Sequence, residues 1–224
     1  MRCSIFFLFL LYIGANAAAQ VLIDSIVAVV NTEAITRSEL ENEFRIAAII
    51  GKPAAEPATL TEKRAVLETI INRKFVLQDS ERIGIVVAER DDRIAEKITE
   101  IRKQFASNTD FQNVLQQYQL ETETLRVWLY EQLIYDEFFR RKFFNAVSSA
   151  KVEQLAKSYY ETHKTEFTDA ERQKEYSEVR EEITERVRQT QAEKEFETWL
   201  KRQKEEGTWH ILDDELTQAG NEAR

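Results

Sequence analysis

Apolar residues recur along most of this chain at the three- and four-residue spacing of amphipathic helices. The densest such stretch is 125–147, LRVWLYEQLIYDEFFRRKFFNAV, which lacks Gly and Pro. It is long enough for about six helical turns. Turned at roughly 100° per residue, it places Leu125, Trp128, Leu129, Leu133, Phe139, Phe143 and Val147 on one face. The opposite face is not polar, because Tyr130, Ile134 and Phe138 recur there at i, i+4 and i+8. A helix that is apolar on both sides is either sandwiched between two layers or offers one side to a partner.

The other elements are arranged around this helix. Residues 23–31, IDSIVAVVN, are β-branched and bounded by polar residues, and predict one buried strand. Thr36, with Glu39 three residues on, opens a helix carrying Leu40, Phe44, Ala47 and Ala48 and stopping at Gly51. Both prolines fall in 52–60, a surface loop. A helix from Thr61 to the Ile83-Gly84 cap bears a broad arc of Val66, Leu67, Ile70, Ile71, Phe75 and Leu77. Charged helix 88–105 and short helix 111–118 follow, with Thr122 or Thr124 opening the central helix. Ser148 or Ser149 caps a further helix running through Tyr159, Tyr160 and His163 to Phe167, and 168–174 forms a polar joint.

The last long helix, about 175–205, has two stripes: Tyr176, Val179, Ile183 and Val187, then Phe196, Trp199 and Leu200. They differ by about half a turn, so the halves face different surfaces or the helix bends near 188–191. Gly207 ends it, 208–212 reads as a strand pairing with 23–31, and 213–224 reads as a loose polar tail. Two charges sit on core faces, Lys74 and Asp136. Each is best explained by the other, with Glu81 as an alternative partner for Lys74.

Composition favours a mostly helical protein, since two Pro and five Gly in 224 residues leave little material for β turns. The N-terminus, Met1-Arg2 followed by apolar residues 5–13 and an Ala-x-Ala site (15–17 or 17–19), describes a secretory signal peptide over 1–19. Without it the only cysteine, Cys3, is gone and disulfides are excluded. The mature chain is then expected to be exported, with no stable insertion in a membrane. A formal net charge of −9 argues against nucleic acid as a partner. No phosphate-binding glycine loop, zinc-protease motif or nucleophile elbow occurs, and two distant histidines make no metal set. The sequence therefore names no catalytic residue, no metal site and no cofactor.

Several segments together resemble the SurA-type periplasmic chaperone family: IVAVVNTEAITRSELE, ETIINRKFVLQDSERIGIVV, VLQQYQLETETLRVWLYEQLIYDEFFRRKF, VSSAKVEQLAKSYYETHKTEF and VREEITERVRQTQAEKEFETWLKRQKEEGTWHIL. The resemblance implies a chaperone core over 20–147, a linker helix and joint over 148–174, a closing helix and strand over 175–212, and a flexible tail over 213–224. Members of that family usually carry a parvulin prolyl-isomerase domain between the Tyr-Tyr helix and the closing helix, where this chain has only 168–174. His163 and His210 do not make the isomerase pocket, so the resemblance implies a non-enzyme.

The fold expected is mainly α, with a small two-stranded β element joining the N- and C-terminal segments. The function implied is a periplasmic, ATP-independent holdase for unfolded client segments, by resemblance outer-membrane protein precursors. Tyr130, Ile134, Phe138, Tyr135, Tyr159 and Tyr160 are its candidate client-binding residues. The alternative is a non-catalytic adaptor or dimerising subunit, whose apolar face binds one folded partner or a second copy.

Overall fold

The computed structural model describes residues 24–51, 57–169 and 172–222. The expected export signal and its cleavage sites lie outside them. Strand β1 (Ile26–Val30) turns through Asn31, at φ 53°, into strand β2 (Glu33–Thr36), and the two pair antiparallel. Asn tolerates this left-handed conformation better than most residues, which suits it to a tight hairpin. Strand β3 (Trp209–Ile211) pairs with the other edge of β1, giving the order β2-β1-β3. The expected pairing of the two ends of the chain is thus present, but the sheet has three strands instead of two. Four residues, EAIT, are too few for a period of two to register, which is why β2 escapes a reading by pattern.

Helix α1 (Arg37–Ile49) starts where Thr36 accepts a hydrogen bond from the Glu39 backbone N–H, as its Thr-x-x-Glu spacing predicts. Helix α2 (Leu60–Arg82) is capped by Thr59 and not by Thr61. Thr59 and Glu62 form a reciprocal capping box, and the Thr59 backbone and hydroxyl donors hold the Glu62 carboxyl below its usual range. Helices α3 (Arg90–Arg102) and α4 (Asn108–Gln117) precede the central α5 (Thr122–Phe139). A π turn (Arg140–Phe144) continues α5, so the stretch is not one regular helix to Val147. This turn brings Phe138 and Phe143, five residues apart, together at 5.8 Å. The pair that regular spacing predicts, Phe139 with Phe143, is also present at 6.2 Å, with Phe139 half-buried and Phe138 fully enclosed.

Helices α6 (Ser149–Thr162) and α7 (Tyr176–Glu206) are joined through a short 3-10 turn (Lys164–Phe167) and a bridge between Thr168 and Gln173. Three apolar cores result. The first joins the sheet, α2, the π turn and the second half of α7. The second joins the end of α1 to α3, α4 and the first half of α5. The third fills the α6–α7 hairpin. Helix α7 runs unbroken for 31 residues, and its two stripes serve different cores: Val179, Ile183 and Val187 the third, Ala192 and Trp199 the first. Of the two alternatives for this helix, the halves facing different surfaces is the one observed.

The expectation of a loose tail is corrected. Helix α8 (Asp214–Glu222) packs on α2, with Leu216 and Ala219 buried, and Arg64 donates to the Leu216 carbonyl. Its two apolar anchors, three residues apart among polar ones, are too few to stand out as a stripe. No helix among the described residues is long and apolar enough to cross a membrane.

Asn31 ties the closing strand to the first. Its backbone N–H donates to the Thr208 carbonyl (2.6 Å), its side-chain oxygen accepts from the Thr208 N–H (3.0 Å), and its amide donates to Gln78 (2.7 Å). Gly207 passes close to this knot. A methyl group there would meet Phe75 Cε1 and the Gln203 carbonyl at 2.8 Å, and Asn31 Oδ1 at 3.3 Å. Gly207→Ala is therefore expected to cost about 1–3 kcal/mol, as overpacking does, read as a lower urea midpoint at unchanged slope. Removing 208–224 takes away β3 and α8, of which the Leu216 side chain alone is worth about 1.5–3 kcal/mol. The truncated chain should melt well below the full one; an unchanged melting temperature would show that the closing strand is not part of the core.

Candidate functional site

Helices α1, α2 and α5 enclose a cleft of about 410 Å³ whose wall includes Ile46, Val127 and Trp128. At its base is Arg73, one of few charged side chains buried in the described residues, at 3% exposure. Its guanidinium donates to the Glu43 carboxylate, and its Nε lies 3.0 Å from a Glu131 oxygen without hydrogen-bond alignment. The Trp128 indole N–H donates to both Glu43 oxygens, at 3.1 and 3.0 Å. Burial works against the Arg73 charge, and Glu43 followed by Glu131 more than restores it, so the guanidinium stays ionised. Glu131 is held above the usual carboxylate range, because its burial outweighs the Arg73 and Lys74 charges beside it.

Two further depressions continue from the cleft along α5. One, of about 220 Å³, shares Glu123 and Val127 with it and reaches Tyr130. The other, of about 560 Å³, runs from Tyr130 to Val86 and Val87. Val127 and Val86 are exposed, at 51% and 69%. Arg90 lies over the Tyr130 ring at 5.2 Å. The three depressions form a groove with an apolar line, Trp128, Val127, Tyr130 and Val86, bordered by charged side chains.

The six residues singled out from the sequence separate into three places. Tyr130 lies in the groove, while Ile134 packs half-buried on the second core. Tyr135 and Phe138 face α7: Tyr135 meets Phe196 edge-on at 5.7 Å, and Phe138, fully buried, meets Trp199 at 5.0 Å. Tyr159 and Tyr160 belong to the α6–α7 hairpin. Tyr159 stacks on His163 at 4.0 Å, and buried Tyr160 donates to the Lys174 carbonyl at 2.7 Å. Phe138 and Tyr160 thus have no surface to offer in this conformation. The second face of α5 is covered, by α7 at one end and α3 at the other, so α5 is sandwiched over most of its length.

The expected Lys74–Asp136 pair is absent. Lys74 reaches Glu39 at 3.1 Å and Glu33 at 3.8 Å, and Asp136 is exposed. Two other pairs link the same helices: Arg73 with Glu131, and Asp79 with Lys142 of the π turn. Lys142 also lies 4.9 Å from the Phe138 ring and 4.7 Å from Trp199. Burial opposes the Asp79 charge, but hydrogen bonds from Lys142 and Arg82 leave its carboxyl below the usual range. The signal for Arg73 was present, since Val66, Ile70, Arg73 and Leu77 share a helical face.

The profile of the SurA-like N-terminal domain matches residues 3–143. The chain belongs to that family. It is 37% identical over 103 residues, 45% of its length, to the Chaperone SurA of Hydrogenovibrio crunogenus. It is 28% identical over 149 residues, 65% of its length, to the Chaperone SurA of Nitrosococcus oceani. These alignments span 22% and 34% of the two relatives' own lengths. The family match covers the sheet hairpin, α1 to α5 and nearly all of the π turn, so the whole groove lies inside it. No parvulin domain is evident in the 224-residue chain, in which seven residues separate Phe167 from Glu175.

The raised position of Glu131 has a consequence for stability. Its folded form holds a proton more tightly than the unfolded chain does, so folding gains from this group at low pH. That gain is lost as pH rises through the raised folded value. Glu131→Gln, which resembles the protonated form, is expected to be more stable than the natural protein at pH 7. The gap should close as pH falls toward about 4.5, the unshifted glutamate range. Urea melts of both proteins at several pH values check this; a gap that widens on acidification would refute it.

Proposed function

We propose that the chain is an ATP-independent chaperone, a holdase that keeps extended or unfolded polypeptide segments from aggregating. The observation that carries this reading is the groove along α5. Its apolar line includes two side chains more than half exposed, within a region assigned to the SurA-like family. Such a groove buries apolar side chains of a passing chain, while the charged border keeps the protein soluble at a formal charge of −9. Two relatives of the chain bear the name Chaperone SurA, which supports the same role here. Binding of this kind is weak and reversible, because an ordered segment gives up conformational entropy that partly offsets the buried area. It needs no nucleotide, and the sequence offers no phosphate-binding loop.

We place the protein in the periplasm, on the strength of the signal-like N-terminus and the family resemblance, and take unfolded outer-membrane precursors as its clients. The reading is non-catalytic, because the segment that carries isomerase activity in other family members has no counterpart between α6 and α7. Tyr130 is kept as a client-binding residue, joined by Val127, Trp128 and Val86.

Light scattering of several unrelated denatured clients tests this proposal. The natural protein should suppress aggregation of more than one of them at near-equimolar ratio. The double variant Val127→Asp, Val86→Asp should lose most of that effect while keeping its melting temperature, because both positions are exposed. Suppression of no client would favour the adaptor reading and reject the holdase.

A further inference from the structure

The cleft between α1, α2 and α5 is lined by an excess of negative charge. Five carboxylates line the cleft against two cations, Arg73 and Lys74. Both cations are already engaged within the protein, Arg73 by Glu43 and Glu131 and Lys74 by Glu39 and Glu33. At the mouth, Glu121 caps nothing with its side chain and makes no ion pair among the described residues. Glu123 meets only Arg126, at 3.5 Å, and is itself largely exposed. Beside these carboxylates stand half-exposed Val127 and the Trp128 ring, whose N–H is committed to Glu43.

We propose that this cleft binds an extended polypeptide segment through a lysine or arginine side chain, with an apolar neighbour of that residue laid against Val127 and Trp128. The inference rests on the chaperone reading and specifies which segments it prefers. Lysine and arginine have the required shape, an apolar stem ending in a cation. The stem follows Val127 and Trp128 while the head reaches the mouth carboxylates and Glu131. An acidic segment would bring a further negative charge into a cleft with no uncommitted cation. A purely apolar segment would cover Glu131 and deepen its burial without supplying charge. Burial holds the Glu131 carboxyl above its usual range in spite of Arg73 and Lys74, and a further cation at the cleft would favour its charged form. Because the mouth carboxylates are exposed, their contribution falls once the screening length drops below the spacing of the charges.

The test is fluorescence anisotropy of the full chain with three short labelled peptides of one unstructured sequence. These carry Leu-Lys, Leu-norleucine or Leu-Glu at the centre. The lysine peptide should bind about tenfold more tightly than the norleucine peptide, and the glutamate peptide most weakly. The lysine advantage should shrink as salt is raised from about 0.05 to about 0.5 M. In the variant Glu121→Gln, Glu123→Gln, which removes both charges from exposed side chains and should keep the fold at a slightly lower melting temperature, the preference for lysine should be lost. Equal binding of the lysine and norleucine peptides, or a preference unchanged in the variant, overturns the inference and leaves the holdase reading in place. Binding of none of the three also overturns it, and the scattering assay then decides the holdase reading by itself. A stable dimer in sedimentation that the lysine peptide does not dissociate would assign the cleft to a second copy and overturn the inference as well.

Discussion

Strand β1 is the constraint on which the rest of the structure depends. One edge pairs with β2, two residues further along the chain, and the other with β3, near its far end. Closing so long a loop is costly in entropy, and the cost is recovered only when the helices between are packed. Asn31 concentrates this closure in one residue, since the left-handed backbone that forms the hairpin also aims its side chain at Thr208 and Gln78. Gly207 is then required by space: the chain must pass between Phe75 and Asn31 without a side chain to enter the closing strand. The first core is consequently assembled from both ends of the sequence, and the α6–α7 hairpin is anchored to it by Val152, Ala192 and Trp199 while its far end builds a core of its own.

The mainly helical class, the order of helices and the meeting of the two ends were legible in the sequence, because each rests on a local pattern of enough residues to repeat. Thr36, Gly84 and Gly207 mark their boundaries by side-chain chemistry that needs no tertiary knowledge. What escaped was short or non-periodic. Strand β2 has four residues, α8 has two buried anchors, and the π turn adds one residue to the hydrogen-bonded ring without any Gly or Pro to announce it. That single extra residue brings Phe138 into the core beside Phe143, while Phe139 packs half-buried against the same cluster. It thereby removes from the surface the aromatic residue the helical wheel had set opposite the core.

The candidate site was less legible than the fold for a related reason. A client groove is defined by what neighbouring helices leave uncovered, and no single element's pattern contains that. Tyr130 and Ile134 lie on one face of α5 and both pack half-buried on the second core, yet only Tyr130 also lines the groove. Val127 and Val86, the most exposed members of the groove, stand out in neither sequence stripe because an isolated exposed valine is ordinary.

The α2–α5 interface shows how a correct physical argument can select the wrong residues. Charges on core faces do come in pairs there, but the pairs are Arg73 with Glu43 and Glu131, and Asp79 with Lys142. Lys74, one position from Arg73, points about 100° away and reaches the start of α1 and strand β2 instead. Such pairs add little net stability, since the desolvation of two charges about equals their attraction. Their geometry is nonetheless demanding. Arg73 satisfies Glu43 of α1 and approaches Glu131 of α5 only when all three helices are in register, and Trp128 can donate to Glu43 only in the same arrangement. Sliding α5 by one turn would leave Arg73 with Glu43 alone, and would part Glu131 from the guanidinium and the Trp128 N–H from Glu43, leaving buried polar groups without partners. The ion pairs thus fix which face of α5 borders the cleft, and through it the line of side chains that a client would meet.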